Sequence, residues 1–231
     1  MDSIGKIINC IENMAMALAL PVPSQAAIRD IIGLSMTQAL QTLFPAGLTS
    51  QLSVEQNVRQ ETASHKAYQQ KLASRLVTGS DDDYIAMRAE FKTQYLQLDT
   101  TPTPIFNNVV PLLQTLSSQG YLLAVATGKA RAGLERVWEQ SGLAHYFIGA
   151  RCADEAMSKP HPEMIQSLLA EHNIPAERTL MVGDSLLDLT MASNAGVDCV
   201  GVTYGAHSAA KLNQANHIGL IDSPELLLKY L

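Results

Sequence analysis

The chain has 231 residues, a mass of 25.0 kDa, a formal net charge of -6 and a pI of about 5.5. Hydrophobic residues make up 47% and charged residues 16%, a composition of soluble globular proteins that excludes long disorder. No Lys/Arg cluster offsets the acidic balance, so the sequence indicates neither nucleic acid nor an anionic membrane surface as a partner.

This length can bury one core, or one core with a smaller companion domain, and the second arrangement is expected. Cys10, Cys152 and Cys199 show no CxxC and no metal-ligand spacing, and their odd number argues against a disulfide framework. A reducing cytoplasm fits that usage. Ile7 to Leu20 is apolar enough to suggest a signal peptide, but Glu12 and Asn13 interrupt it and Lys6 is its only basic flank, so it reads as a core helix. No apolar run reaches the roughly 20 residues of a membrane-spanning helix.

In chain order, Ile4, Ile7, Ile8, Ile11, Met14 and Leu18 recur at helical spacing, and Pro21 and Pro23 end that helix. Ser24 caps a second helix through Ile32, and Gly33-Leu34-Ser35-Met36 turns into a third that runs to Phe44, closed by Pro45 and Gly47. Val54 to Leu76 is helical, with Val58, Ala63, Tyr68 and Leu72 on one side, and Thr78-Gly79-Ser80 breaks it. Asp81-Asp82-Asp83 resembles a metal cluster, yet three acids directly before Tyr84-Ile85-Ala86-Met87 are what a helix amino end attracts through its dipole. No strand is evident up to Leu98, so residues 1–99 read as an all-helical unit.

The stiff Thr100-Thr101-Pro102-Thr103-Pro104 linker opens a second unit, 100–231, in which short β runs alternate with helices. Asn108 to Gln119 is a helix stopped by Gly120, and Tyr121 to Ala126 is a strand ending at Thr127-Gly128. Ala132–Ser141 is a helix, Tyr146–Ile148 a strand and Met164–His172 a helix. The strand Thr179–Val182 leads into a helix from Leu186 to Ala195, ended by Gly196, and Cys199–Thr203 is the last strand before helices from Ser208 and Pro224. Strands separated by helices imply right-handed crossovers and a parallel sheet covered on both faces, an α/β fold.

Three stretches fall at strand carboxyl ends or in the loops after them, where open α/β sheets bind ligands. In Thr127-Gly128-Lys129 a hydroxyl and backbone N–H groups before a helix amino end can donate to phosphate oxygens. Lys159, between Ser158 and Pro160, supplies a cation for a phosphate or an anionic nucleophile. Asp184 and Asp188, four residues apart, share a helix face, and two carboxylates there call for a cation, with hard oxygens suiting Mg²⁺. Taken singly each has a plainer reading: a turn, a surface lysine, a helix cap.

In this order the set resembles motifs two, three and four of the haloacid dehalogenase superfamily, particularly its phosphoglycolate phosphatase-like branch. Ala124-Val125-Ala126-Thr127-Gly128-Lys129, Ser158-Lys159-Pro160-His161-Pro162 and Met181-Val182-Gly183-Asp184-Ser185-Leu186-Leu187-Asp188 carry the match. The resemblance implies a Rossmann-like parallel core with an inserted helical cap, and a Mg²⁺-dependent attack on phosphate by an aspartate that yields an aspartyl-phosphate intermediate. It implies that Thr127, Gly128 and Lys129 bind phosphate, that Lys159 holds nucleophile and phosphate, that Asp184 ligates Mg²⁺, and that Asp188 supports the metal and the lysine. It makes residues 1–99 the cap and 100–231 the core, with Gly33-Leu34-Ser35 as the cap turn that faces substrate, a small phosphorylated metabolite.

The family's first motif runs Asp-x-Asp-Gly-Thr-Leu-x-Asp-Ser, and Met1-Asp2-Ser3 matches only its tail, with residues 1–5 as its remnant. By the resemblance, the nucleophile, the acid/base aspartate and their strand lie upstream of Met1, which reads as an internal start of a longer protein, the other explanation being a fragment that closes the gap or pairs with another chain. The chain as written is then expected to be inactive or nearly so, with a strand missing between those that end at Thr127 and Asp184.

Dehalogenation and phosphosugar mutation share these motifs, and a non-catalytic phosphate- and metal-binding protein is the reading from another class. The six histidines show no HxH or HExxH spacing and read as ordinary surface or loop residues, which excludes a zinc site. No G-x-S-x-G nucleophile elbow and no strand-linked G-x-G-x-x-G occur, which argues against a serine hydrolase and a dinucleotide fold.

Overall fold

The computed structural model of the protein describes residues 1–46 and 77–231. The helix expected over Val54–Leu76 and the turn at Gly47 lie outside the described residues. The chain forms two compact units, one of Ser3–Ile31 with Met36–Thr103, the other of Met1–Asp2, Ile32–Ser35 and Pro104–Leu231. Gly33 therefore folds with the α/β unit and not with the helices that flank it in sequence.

In the helical unit, α1 (Ile4–Ala17) buries Ile8, Cys10, Ile11, Met14 and Ala15, the stripe its periodicity dictates. α2 (Gln25–Asp30) starts where Ser24 Oγ accepts the Ala27 N–H at 3.2 Å, satisfying a donor the first turn leaves unpaired. α3 (Met36–Leu43) buries Ala39 and Leu40. At α4 (Asp81–Thr93) all three aspartates occupy the first turn and Ser80 caps it. Asp83 Oδ2 accepts from the Thr78 N–H at 2.8 Å and its hydroxyl at 2.7 Å, so the acidic triplet serves the helix end. A π-helical turn, Gln94–Leu98, follows, and Lys6 Nζ donates to the Asp99 carbonyl at 2.7 Å while lying 5.1 Å from the Tyr95 ring centre.

In the α/β unit, α5 (Val109–Ser118) leads into β1 (Leu123–Ala126), which pairs in parallel with β2 (Phe147–Arg151). β3 (Leu180–Gly183), β4 (Asp198–Val202) and β5 (Gly219–Ile221) form a second parallel ladder in that order. Helices α6 (Arg131–Ser141), α7 (Glu163–His172), α8 (Leu186–Ala195) and α9 (Ala209–Leu212) connect successive strands, as parallel pairing requires. α8 closes at Gly196, whose φ of 71° is the left-handed end that glycine adopts without strain.

Met164, Ile165, Leu189, Met191, Ala192, Val197, Cys199 and Leu212 pack α7, α8 and α9 against β4. Leu116, Val200, Val202, Ile221 and Leu227 close the other face. One feature departs from a continuous sheet. No ladder among the described residues joins β1 to β3, and Ala124 in β1 and Val182 in β3 are exposed, whereas strands of a parallel sheet are ordinarily covered on both faces. All three cysteines are free and buried.

Candidate functional site

Every sequence-chosen residue of the site lies in the α/β unit, and Lys159 joins two of its segments. Its Nζ donates to Asp188 Oδ1 at 2.6 Å and to the carbonyl of Ala126, the residue before Thr127, at 3.0 Å. Both side chains of the ion pair are buried, at 7% and 6% exposure. Lys159 is thus a buried cation bridging the end of β1 and the first turn of α8, and the plain reading of a surface lysine is excluded. Its peptide bond to Pro160 is cis.

Around β3, Asp188 accepts from the Ser185 N–H at 3.1 Å and the Ser185 hydroxyl at 2.7 Å through Oδ2, while Ser185 Oγ accepts the Asp188 N–H. This capping box makes Ser185, not Asp184, the cap of α8. Burial alone would push the Asp188 carboxyl up, but the Lys159 charge and the Ser185 donors hold it below the ordinary carboxylate range. The close fit needs Gly183, where a Cβ would stand 2.8 Å from Asp188 Cγ.

Asp184 has the opposite environment. Burial, and then the negative charge of Asp188, raise its carboxyl above the ordinary value, and the Ala206 N–H, which donates to Oδ2 at 3.0 Å, offsets only part of that. The loop after β4 is pressed against it, since a Cβ on Gly205 would stand 2.7 Å from Asp184 Cγ. Asp184 has no ion-pair partner among the described residues, and its carboxylate is a hard-oxygen donor whose chemistry fits Mg²⁺. Asp188 spends one oxygen on Lys159 and the other on Ser185, which fits it to orient the lysine.

At the end of β1, Thr127 N–H donates to the Arg151 carbonyl at 2.9 Å, and Thr127 Oγ1 accepts the Lys129 N–H at 3.1 Å, leaving the hydroxyl proton to donate. Gly128 lies beside the Gly33 turn: a Cβ on it would stand 3.3 Å from the Gly33 carbonyl oxygen and 3.4 Å from that of Leu34. A Cβ on Gly33 would stand 3.0 Å from Ser185 Oγ. Thr127, Gly128, Gly33, Lys159, Asp184 and Asp188 are therefore brought together, and Lys129 borders them through the backbone.

At the amino end of α6, Arg131 N–H donates to both carboxylate oxygens of Asp154, at 2.9 and 3.2 Å. Arg131 also holds Glu155 in a two-pronged bond of 2.6 and 2.6 Å, which keeps the Glu155 carboxyl at about 2. His207 lies in the loop after β4, in keeping with its reading as a surface or loop residue, but it is buried there, and its Nδ1 accepts the Leu186 N–H at 2.9 Å. Neither Glu155 nor His207 carries a spacing signal, because each meets its partner across the tertiary fold.

A parallel α/β unit with this cluster at the carboxyl ends of β1 and β3 defines a Rossmann-like hydrolase class. The chain belongs to the haloacid dehalogenase-like hydrolase family, whose model matches residues 1–202. It is 33% identical over 96% of its length, and 84% of the relative, to a protein of Dickeya dadantii named a probable phosphatase, IndB. It is 28% identical to the phosphoglycolate phosphatase of Vibrio cholerae, over 89% of this chain and 80% of that one. Among solved structures, a predicted phosphoglycolate phosphatase from Haemophilus somnus superposes with a TM-score of 0.78 at 22% identity, covering 99% of this chain and 91% of the other. A hydrolase from Pseudomonas syringae does so with a TM-score of 0.75 at 17% identity, covering 99% and 91%.

Proposed function

We propose that the protein is a phosphatase that hydrolyses a small phosphate monoester with the help of Mg²⁺, through an aspartyl-phosphate intermediate. The observation that carries this reading is Lys159, a buried cation held between the Thr127 loop and Asp188. The names of the relatives support the phosphatase chemistry and a small phosphorylated substrate.

Thr127 donates its hydroxyl to the phosphoryl oxygens, and Gly128 and Lys129 line the same side. Lys159 neutralises the phosphate and the attacking carboxylate, and Asp188 keeps the lysine in place. Asp184 would hold Mg²⁺, which when bound polarises the phosphoryl group and offsets its charge. The helical unit takes the part of the family's cap in this reading. No residue of the described site is assigned as the nucleophile, which the reading gives to the first motif.

The test is hydrolysis of an aryl phosphate, with Mg²⁺ present, by a protein that carries the family's first motif, Asp-x-Asp-Gly-Thr-Leu, ahead of these residues. Turnover is expected, abolished by EDTA and by Asp184→Asn. No turnover, or turnover indifferent to EDTA, would overturn the reading.

A further inference from the structure

We propose that His207 is a positioning residue that presents Asp184 to its cation, a role that rests on the reading of Asp184 as the metal-holding carboxylate. Two short segments exchange three hydrogen bonds. Ala206 N–H donates to Asp184 Oδ2 at 3.0 Å, His207 N–H donates to the Asp184 carbonyl at 3.0 Å, and Leu186 N–H donates to His207 Nδ1 at 2.9 Å. The last bond takes up a first-turn donor of α8 that the capping box leaves over.

The loop bearing His207 has few ways to yield. Thr203 N–H ties its start to the Ile221 carbonyl of β5 at 2.9 Å. Tyr204 packs edge-on to Phe106 with ring centres 5.1 Å apart, Gly205 leaves no room for a side chain, and His207 is 4% exposed. Asp184 is therefore gripped at its carbonyl and at one carboxylate oxygen by a single loop, and the imidazole fixes the distance between that loop and α8. Groups that orient a ligand from behind are worth roughly 10- to 100-fold in metal affinity.

The experiment measures Mn²⁺ binding to the full chain, read from loss of the free-ion EPR signal, beside inorganic phosphate binding without metal by calorimetry. Wild type is expected to bind Mn²⁺, and Asp184→Asn to abolish it. His207→Ala should weaken Mn²⁺ about tenfold and leave phosphate affinity within about twofold, because Thr127 is held by Arg151 and Lys129, and Lys159 by Ala126 and Asp188. His207→Asn, whose Oδ1 can accept where Nδ1 did, should restore Mn²⁺ affinity to within about threefold of wild type. If His207→Ala melts below the assay temperature, His207→Gln replaces it, since the longer amide carries its oxygen past the Nδ1 position.

Wild-type Mn²⁺ affinity in His207→Ala or His207→Gln would overturn the proposal. So would an equal fall in phosphate affinity, or failure of Asn to rescue. Absence of Asp184-dependent Mn²⁺ binding in wild type would instead overturn the reading of Asp184, and this proposal with it.

Discussion

Replacing Lys159 with Met removes the cation and leaves the Asp188 carboxylate in a site where it is 6% exposed. Breaking a buried pair by deleting one partner costs about 3–5 kcal/mol, chiefly the penalty of the orphaned charge. The Ser185 N–H and hydroxyl still serve Asp188 Oδ2, so the lower end, about 3 kcal/mol, is expected. At about 2–4 °C per kcal/mol for a chain of this size, the melting point should fall by about 6–12 °C.

The pH dependence tests the cause. In wild type the Asp188 carboxyl lies below its unfolded value, so its contribution is present above about pH 3.9 and fades as pH falls further. In Lys159→Met, unopposed burial raises that carboxyl, so the variant gains stability by protonation at low pH and loses it as pH rises. The gap between the two proteins should be smallest near pH 4 and widest at pH 7. Urea unfolding at both pH values, followed by the fluorescence of Trp138 on α6, measures it. A loss under about 1 kcal/mol that does not change with pH would refute the argument, because it would describe a solvated surface pair.

Gly183→Ala should destabilise the α/β unit by about 1–3 kcal/mol in urea melts and weaken inorganic phosphate binding, because Asp188, and with it Lys159, must move. Asp184→Asn removes a like charge from beside Asp188, so it should leave the melting point unchanged or raised while abolishing Mg²⁺ binding. In wild type, calorimetric Mg²⁺ affinity should fall as pH drops through the raised Asp184 value. Arg131→Ala should return the Glu155 carboxyl from about 2 to the ordinary range in a ¹³C NMR titration. The pair is about a third exposed, so the stability lost should stay under about 1 kcal/mol, present above about pH 4.3 and vanishing as pH falls.

What the sequence made legible was local. α8 begins and ends where the sequence places it because Ser185 and Gly196 carry their own cap chemistry. The Asp81–Asp83 triplet sits in the first turn of α4 for the same reason. β5 escaped because three residues, Gly219–Ile221, are too short for periodicity to register, and the strand exists only through its pairing with β4. The Gly33 turn was visible as a turn, but its grouping with Gly128 and Ser185 depends on contacts far apart in the chain.

The site shows the same division. Asp184 and Asp188 declare themselves by spacing, yet their divergent charge states come from Lys159, 29 residues from Asp188 in sequence, and from the Ala206 N–H. His207 and Glu155 act through partners 21 and 24 residues away, which no local pattern encodes.

The most direct test is a crystal of this chain soaked with Mn²⁺ and tungstate, mapped by anomalous scattering. The account predicts a manganese peak bonded to Asp184 Oδ1, with a tungstate within hydrogen-bonding reach of Thr127 Oγ1 and Lys159 Nζ. Manganese and tungstate bound at separate places, neither touching these three residues, would contradict it.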